Sequence, residues 1–253
     1  MLLLLPPSET KRDGGTHGTT LDLGALSFPS LTPTRRTVLA ATRRLARNLT
    51  TMAAALKVGP SQHGELLRNR ALGSSPTMAA IDRYTGVLYD ALDAGSLTES
   101  AREFAFEHLA IQSALFGLTM AGDAIPAYRL SHDSRLPGLP LKRTWSVPVS
   151  AAIAEHPGLV LDLRSEIYAE FGPAPDAVFV RVVAEGADGR RRALNHFNKK
   201  GKGEFVRVIL LAGIDHPDVA SLVRWAAGVG VRLTPGRPGE LELVVDEIVA
   251  PRA

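Results

Sequence analysis

The run Leu2-Leu3-Leu4-Leu5, closed by Pro6-Pro7, limits most strongly what this chain can become. Four leucines with no basic flank before them fall far short of a membrane span or a targeting segment. A short unbroken apolar run, stopped by two residues without a backbone donor, is instead a fully buried strand. Ser8, Glu9, Thr10, Lys11, Arg12 and Asp13 follow at once. Such a density of polar groups where a buried strand ends suits a binding site better than a plain connection.

Beyond this strand the pattern predicts one α/β (mixed α+β) domain over residues 1–253, with a mixed sheet surrounded by helices. Residues 14–34, rich in Gly, Thr, Ser and Pro, are expected to be a flexible loop. A helix is expected over 34–56, with Val38, Leu39, Leu45 and Leu49 inward and Arg35, Arg36, Arg43, Arg44 and Arg47 on the other faces, turned to DNA or to water. Lys57-Val58-Gly59-Pro60 is a break of the helix-hairpin-helix kind, or a plain turn between helices. Further helices are expected over 61–70 and 76–92, and Ser96 with Glu99 fits a capping box opening a helix to His108. Residues 109–116 read as a buried strand and 117–128 as a loop delivering Tyr128-Arg129. A helix over 145–156 would hold Pro148 in its first turn.

From Gly158 short elements alternate. Strands are expected over 159–163, 177–184 and 191–197, the last two flanking Asp188-Gly189, a strong hairpin signal. Ser165 is a plausible N-cap. Helices over 205–212 and 218–227 precede closing strands over 231–233 and 241–245.

Only six lysines stand against 23 arginines, yet Lys199, Lys200 and Lys202 fall within four residues, between the expected strand exit and the helix at 205. Lysine carries a compact, hydrated charge that changes its pKa when desolvated, so this cluster points to anion binding, with Gly201 and Gly203 letting backbone approach the ligand. The plainer alternative is a solvated basic turn. Strand ends can share one pocket, so 8–12, Tyr128-Arg129, Arg164-Ser165-Glu166 and the lysines are expected to converge. Lys and Arg would hold phosphate or carboxylate, Tyr128 would donate or stack, and Glu166 or Glu9 would act as a base or restrain a lysine.

Composition narrows the function. With no cysteine there is no disulfide, thiol peroxidase centre or cysteine-ligated cluster. A formal charge of +3 means that any anionic partner must meet a local patch. No phosphate-loop, dinucleotide or nucleophile-elbow motif occurs, and the seven histidines never pair at helical metal-site spacing, so neither a cofactor nor a metal is expected. His196, beside the lysines, is the one histidine to keep in view.

Several segments, in order along nearly the whole chain, resemble the YaaA peroxide-stress family. They are the first strand with Pro7-Ser8-Glu9-Thr10-Lys11, then Tyr84-Thr85-Gly86 ahead of Tyr89 and Leu92-Asp93-Ala94, Ser113-Ala114-Leu115-Phe116-Gly117-Leu118, Pro126-Ala127-Tyr128-Arg129-Leu130, residues 163–168, and Asn198-Lys199-Lys200-Gly201-Lys202-Gly203. The resemblance implies a single mixed α/β domain with a basic cleft, protection from peroxide, limitation of intracellular iron, and DNA as partner through a helix-hairpin-helix element; the cytoplasmic place is expected from the short leucine run at the start of the chain. Leu118-Thr119-Met120-Ala121-Gly122-Asp123 and Ser165-Glu166-Ile167-Tyr168 depart from the family's usual Leu-Arg-Pro-Leu-Asp and Ser-Asp/Asn-Glu-Tyr. The alternative function is an enzyme acting on a phosphorylated or nucleotide-like small molecule in the same cleft, using Lys11, Tyr128, Arg129, Arg164, Ser165, Glu166, Lys199, Lys200 and Lys202.

Overall fold

The computed structural model describes residues 1–59, 62–185, 191–193 and 197–246. Ten strands form in chain order: β1 (Leu2–Leu5), β2 (Met78–Ala79), β3 (Leu109–Ser113), β4 (Gly117–Met120), β5 (Ala124–Ile125), β6 (Val160–Asp162), β7 (Val178–Glu185), β8 (Arg191–Ala193), β9 (Arg232–Pro235) and β10 (Glu240–Asp246). Among them run α1 (Thr32–Leu45), α2 (Leu49–Leu56), α3 (His63–Arg70), α4 (Ala80–Arg83), α5 (Val87–Leu92), α6 (Glu99–His108), α7 (Leu141–Ala154), α8 (Glu166–Ala169), α9 (Phe197–Ala212) and α10 (Val219–Gly228).

The main sheet has the order β4-β3-β1-β6-β7-β10-β9, with β8 also paired to β7. Its five inner strands are parallel, and β4 and β9 close the two edges antiparallel. Leu3, Leu4 and Leu5 are wholly buried, as an inner parallel strand requires. From β1 the chain first builds outward to β3, then returns to lay β6 on the other flank of β1. That reversal makes the carboxyl end of β1 a topological switch point, where a crevice opens outside the strands. The mixed α/β fold expected from the sequence is therefore present.

Several local expectations are corrected. The helix over 34–56 is two helices, because Asn48 caps α2 by accepting from the Thr51 N–H at 3.0 Å, while the Arg70 Nε binds the Ala46 carbonyl at 2.9 Å. The helix over 76–92 is interrupted at residues 84–86, where the N-terminal segment pairs with it instead: Lys11 bridges Tyr84 and Thr16 bridges Thr77. Thr98, not Ser96, caps α6, and the Ser96 hydroxyl turns back to Asp93. Residues 117–120 form β4, not loop. Gly117 sits at φ +66 in the turn from β3, and a Cβ there would lie 2.6 Å from the Trp145 ring. α7 begins at Leu141, so Pro148 lies mid-helix. Its neighbour Val147 is 76% exposed, so water reaches the turn that lacks a donor.

Segment 14–34 has little regular structure, yet buried arginines fasten it. Arg83 donates to the carbonyls of Arg12, Gly14 and Pro76, and Arg35 to those of Ser27, Phe116 and Leu118. Between α2 and α3, Lys57 takes the left-handed conformation. Pro60, Asp188-Gly189 and His196 lie outside the described residues.

Candidate functional site

A cavity of about 380 Å³ opens at the switch point. Pro6, Pro7, Ser8 and Glu9 from the end of β1, Gly86 to Tyr89 at α5, Leu130-Ser131-His132, Ser165, Ile167 and Tyr168 at α8, and Lys199 on α9 all line it. All four tyrosines of the chain gather here. Tyr89 and Tyr168 line the cavity, and the Tyr89 hydroxyl donates to the Pro6 carbonyl at 2.7 Å. Tyr84 stacks on Tyr89 with ring centres 5.2 Å apart and shares a 2.8 Å hydrogen bond with the Tyr128 hydroxyl. Burial pushes all four phenols above the ordinary tyrosine range.

Lys11 lies behind the 8–9 wall. Its Nζ donates to the Ser8 carbonyl at 2.8 Å and to the Glu9 carbonyl at 3.2 Å, and sits 4.1 Å from the Tyr128 ring centre. Desolvation, with Arg129 and Arg68 adding like charge, lowers its pKa to about 7. Arg129 reaches Glu9 at 3.0 Å and Glu65 at 3.3 Å, while its main chain exchanges two hydrogen bonds with Asn69. These buried cations hold the shape of the wall.

The remaining expected residues separate. Arg164 is wholly buried, clasping Asp162 with Nε and Nη2 and giving Nη1 to the Gly172 carbonyl at 2.9 Å. Ser165 caps α8, accepting from the Tyr168 N–H, which leaves its own hydroxyl proton available at the cavity. Glu166 does not pair with Arg164. It turns outward to Arg181 at 3.1 Å, and Arg181 is held by Glu240 as well.

The three lysines occupy the start of α9, not a turn before a helix. Lys199 lines the cavity, exposed Lys200 meets Glu204 at 3.5 Å, and buried Lys202 donates to the Arg164 carbonyl at 3.1 Å. Desolvation lowers the Lys202 pKa to about 8. The neighbouring glycines also have another use. A Cβ on Gly203 would lie 2.2 Å from the Leu88 carbonyl oxygen, and one on Gly201 would lie 3.2 Å from Val245, so both bring α9 close to α5 and the sheet, not to a ligand.

A second surface stands apart in the composition of its walls. Arg43 and Arg44 on α1, Arg47 in the turn just past its end and Arg70 on α3 surround a groove of about 630 Å³, completed by Ala40 and Ala46. All four are exposed, and none forms an ion pair with a carboxylate among the described residues. No group of three or more His, Cys, Asp or Glu able to hold a metal occurs among the described residues, and no helix among them is long and apolar enough to cross a membrane.

The cavity side chains that residue-type reasoning missed are Val87, Ser131, His132 and Ile167. None carries a motif of its own. Their one sequence signal is proximity to Tyr84, Tyr128 and Tyr168, three of only four tyrosines.

Comparison with known proteins gives these features a family. The family model described as peroxide stress protein YaaA matches residues 1–227. A UPF0246 protein of Corynebacterium glutamicum (strain R) is 46% identical over 97% of this chain and 100% of its own length. A relative in Corynebacterium efficiens is 43% identical over 97% and 100%, and one in Streptomyces coelicolor 36% identical over 98% and 100%. The chain belongs to the YaaA peroxide-stress (UPF0246) family, and that membership supports a general role in peroxide stress.

Proposed function

We propose that this YaaA-family protein limits peroxide damage by binding DNA, and that it helps to restrain intracellular iron and oxidative injury. The observation carrying the DNA reading is the arginine groove: four exposed guanidinium groups with no acidic partner among the described residues, at the end of α1, in the turn after it and on α3. Arginine forks match phosphate geometry, and each neutralised phosphate releases counterions, so affinity gained this way falls with salt. Lys199 and Lys200, exposed at the start of α9, are a second source of charge.

The test is anisotropy of a labelled duplex titrated across salt concentrations. Binding should weaken steeply with salt on every sequence, and Arg43→Ala/Arg44→Ala/Arg47→Ala should flatten the log–log slope by about three. Lys199→Ala/Lys200→Ala should flatten it further if α9 shares the duplex. Affinity indifferent to salt and to both variants would overturn the reading.

A second reading is favoured by a different observation. The switch-point cavity mixes aromatic, hydroxyl, imidazole and ammonium groups, more than phosphate neutralisation needs. It fits an enzyme acting on a phosphorylated or nucleotide-like small molecule. Thermal-shift measurements should find such a ligand stabilising the wild type but not Lys199→Ala.

A further inference from the structure

Two aliphatic side chains on the cavity wall are unusually exposed for their type. Val87 opens α5 at 42% exposure and Ile167 sits on α8 at 48%, and both line the same cavity. Neither supports a core. Exposed apolar side chains at the mouth of a pocket are what an apolar ligand face would cover. With Pro6, Leu130, Tyr89 and Tyr168 they make much of the wall apolar or aromatic.

The polar side of the cavity is small. Lys199 is the only lysine or arginine among the described lining residues. Ser165, whose oxygen already accepts the Tyr168 N–H, has a hydroxyl proton to give, whereas Ser131 spends its own on Asp133 at 2.6 Å. Glu9 is the one carboxylate among the described lining residues, and although Arg129 binds it, it remains 60% exposed. One ammonium and the Ser165 hydroxyl suit a single phosphate; of the other polar side chains on the wall, the Ser8 and Thr85 hydroxyls are engaged with Thr10, and His132 adds one imidazole. A chain of phosphates would bring more charge than they neutralise and would meet Glu9. The volume, about 380 Å³, lies at the lower end of ligand cavities, which span roughly 300–1,000 Å³. That admits one nucleoside and excludes a duplex, so this site is separate from the arginine groove.

We infer that the switch-point cavity binds a nucleoside monophosphate, its base against Val87 and Ile167 and its phosphate on Lys199 and Ser165. This rests on the small-molecule reading above and narrows it. A sugar phosphate offers no flat apolar face for Val87 and Ile167, and a free nucleoside offers no anion for Lys199. Only a ligand with both uses both features.

Calorimetric titration of the full chain tests it with AMP, GMP, CMP and UMP set against ribose 5-phosphate, inorganic phosphate, adenosine and ATP. At least one monophosphate should bind about tenfold or more tightly than ribose 5-phosphate, from burial of the base. Lys199→Ala should lower its affinity by about tenfold or more, the worth of a charge-assisted hydrogen bond. Ile167→Asn should weaken the monophosphate to the level of ribose 5-phosphate while leaving ribose 5-phosphate itself unchanged. Both positions are exposed, so unliganded melting of the variants should match the wild type. Lys200→Ala, pointing elsewhere on the same helix, should bind normally. Monophosphates no tighter than ribose 5-phosphate would overturn the nucleoside assignment and leave a phosphorylated substrate standing. Tighter ATP would overturn the single-phosphate assignment, and failure of every ligand would remove both this inference and the small-molecule reading.

Discussion

The switch-point cavity and the arginine groove use positive charge in opposite ways. Around the cavity, Lys11, Arg129, Arg164 and Lys202 are buried and bound to carboxylates or main-chain carbonyls, so their charge shapes walls, and among the described residues only Lys199 brings positive charge to the space. In the groove, Arg43, Arg44 and Arg47 are exposed and meet no acid among the described residues, while Arg70, also exposed, is tied to the Ala46 and Arg47 carbonyls. Charge that is buried and paired fixes geometry, and charge that is exposed and unpaired remains available to a partner.

The strongest way to break this contrast is at Asp162. Asp162→Ala would leave the Arg164 guanidinium buried without its carboxylate, which costs about 3–5 kcal/mol and should show as a large loss of urea midpoint. A small loss would mean that Arg164 is far less committed than its contacts indicate. Next comes helix docking at α9. Alanine is the better helix former, yet Gly203→Ala should destabilise by about 1–3 kcal/mol because the new methyl meets the backbone oxygen of Leu88, which cannot swing away. Gly201→Ala, facing the movable Val245 side chain, should cost less.

Lys11 sharpens the comparison through pH. Its folded pKa, about 7, lies below the unfolded value, near 10.5, so between these the unfolded chain binds more protons. Burying the ammonium is therefore a full penalty below pH 7 that is relieved as pH rises toward 10.5. Lys11→Met lacks that term, so its stability relative to wild type should be most favourable below pH 7 and decline across this window. A pH-independent difference would show that Lys11 keeps an ordinary pKa. The groove behaves differently: Arg43→Ala/Arg44→Ala/Arg47→Ala should leave stability within about 0.5 kcal/mol while altering salt-dependent binding. Smallest of all, Lys200→Ala removes only a solvated pair with Glu204 and should cost about 0.3–0.5 kcal/mol.

Much of the frame was legible because local patterns are short-range physics. Four leucines stopped by two prolines become the buried β1, Ser165 caps α8, and the strand expected over 109–116 forms as β3, ending at Ser113 where the chain turns into β4. The failures came where a distant partner outbid a local tendency. Helical periodicity over 76–92 yielded to pairing of Lys11 with Tyr84 and Thr16 with Thr77.

Sequence alone therefore determined that polar residues would follow a buried strand, that lysines would cluster at 199–202, and that arginines would stud the first long helix. Tertiary structure decided what each charge does. On α9 successive side chains turn by about 100°, so three lysines within four residues point to a cavity, to Glu204 and into the protein beneath Arg164. Likewise Glu166, two residues from Arg164, turns to Arg181 on β7, because the Arg164 guanidinium is already enclosed with Asp162. Proximity along a chain fixes which groups are neighbours in number, whereas helical phase and burial fix which of them meet.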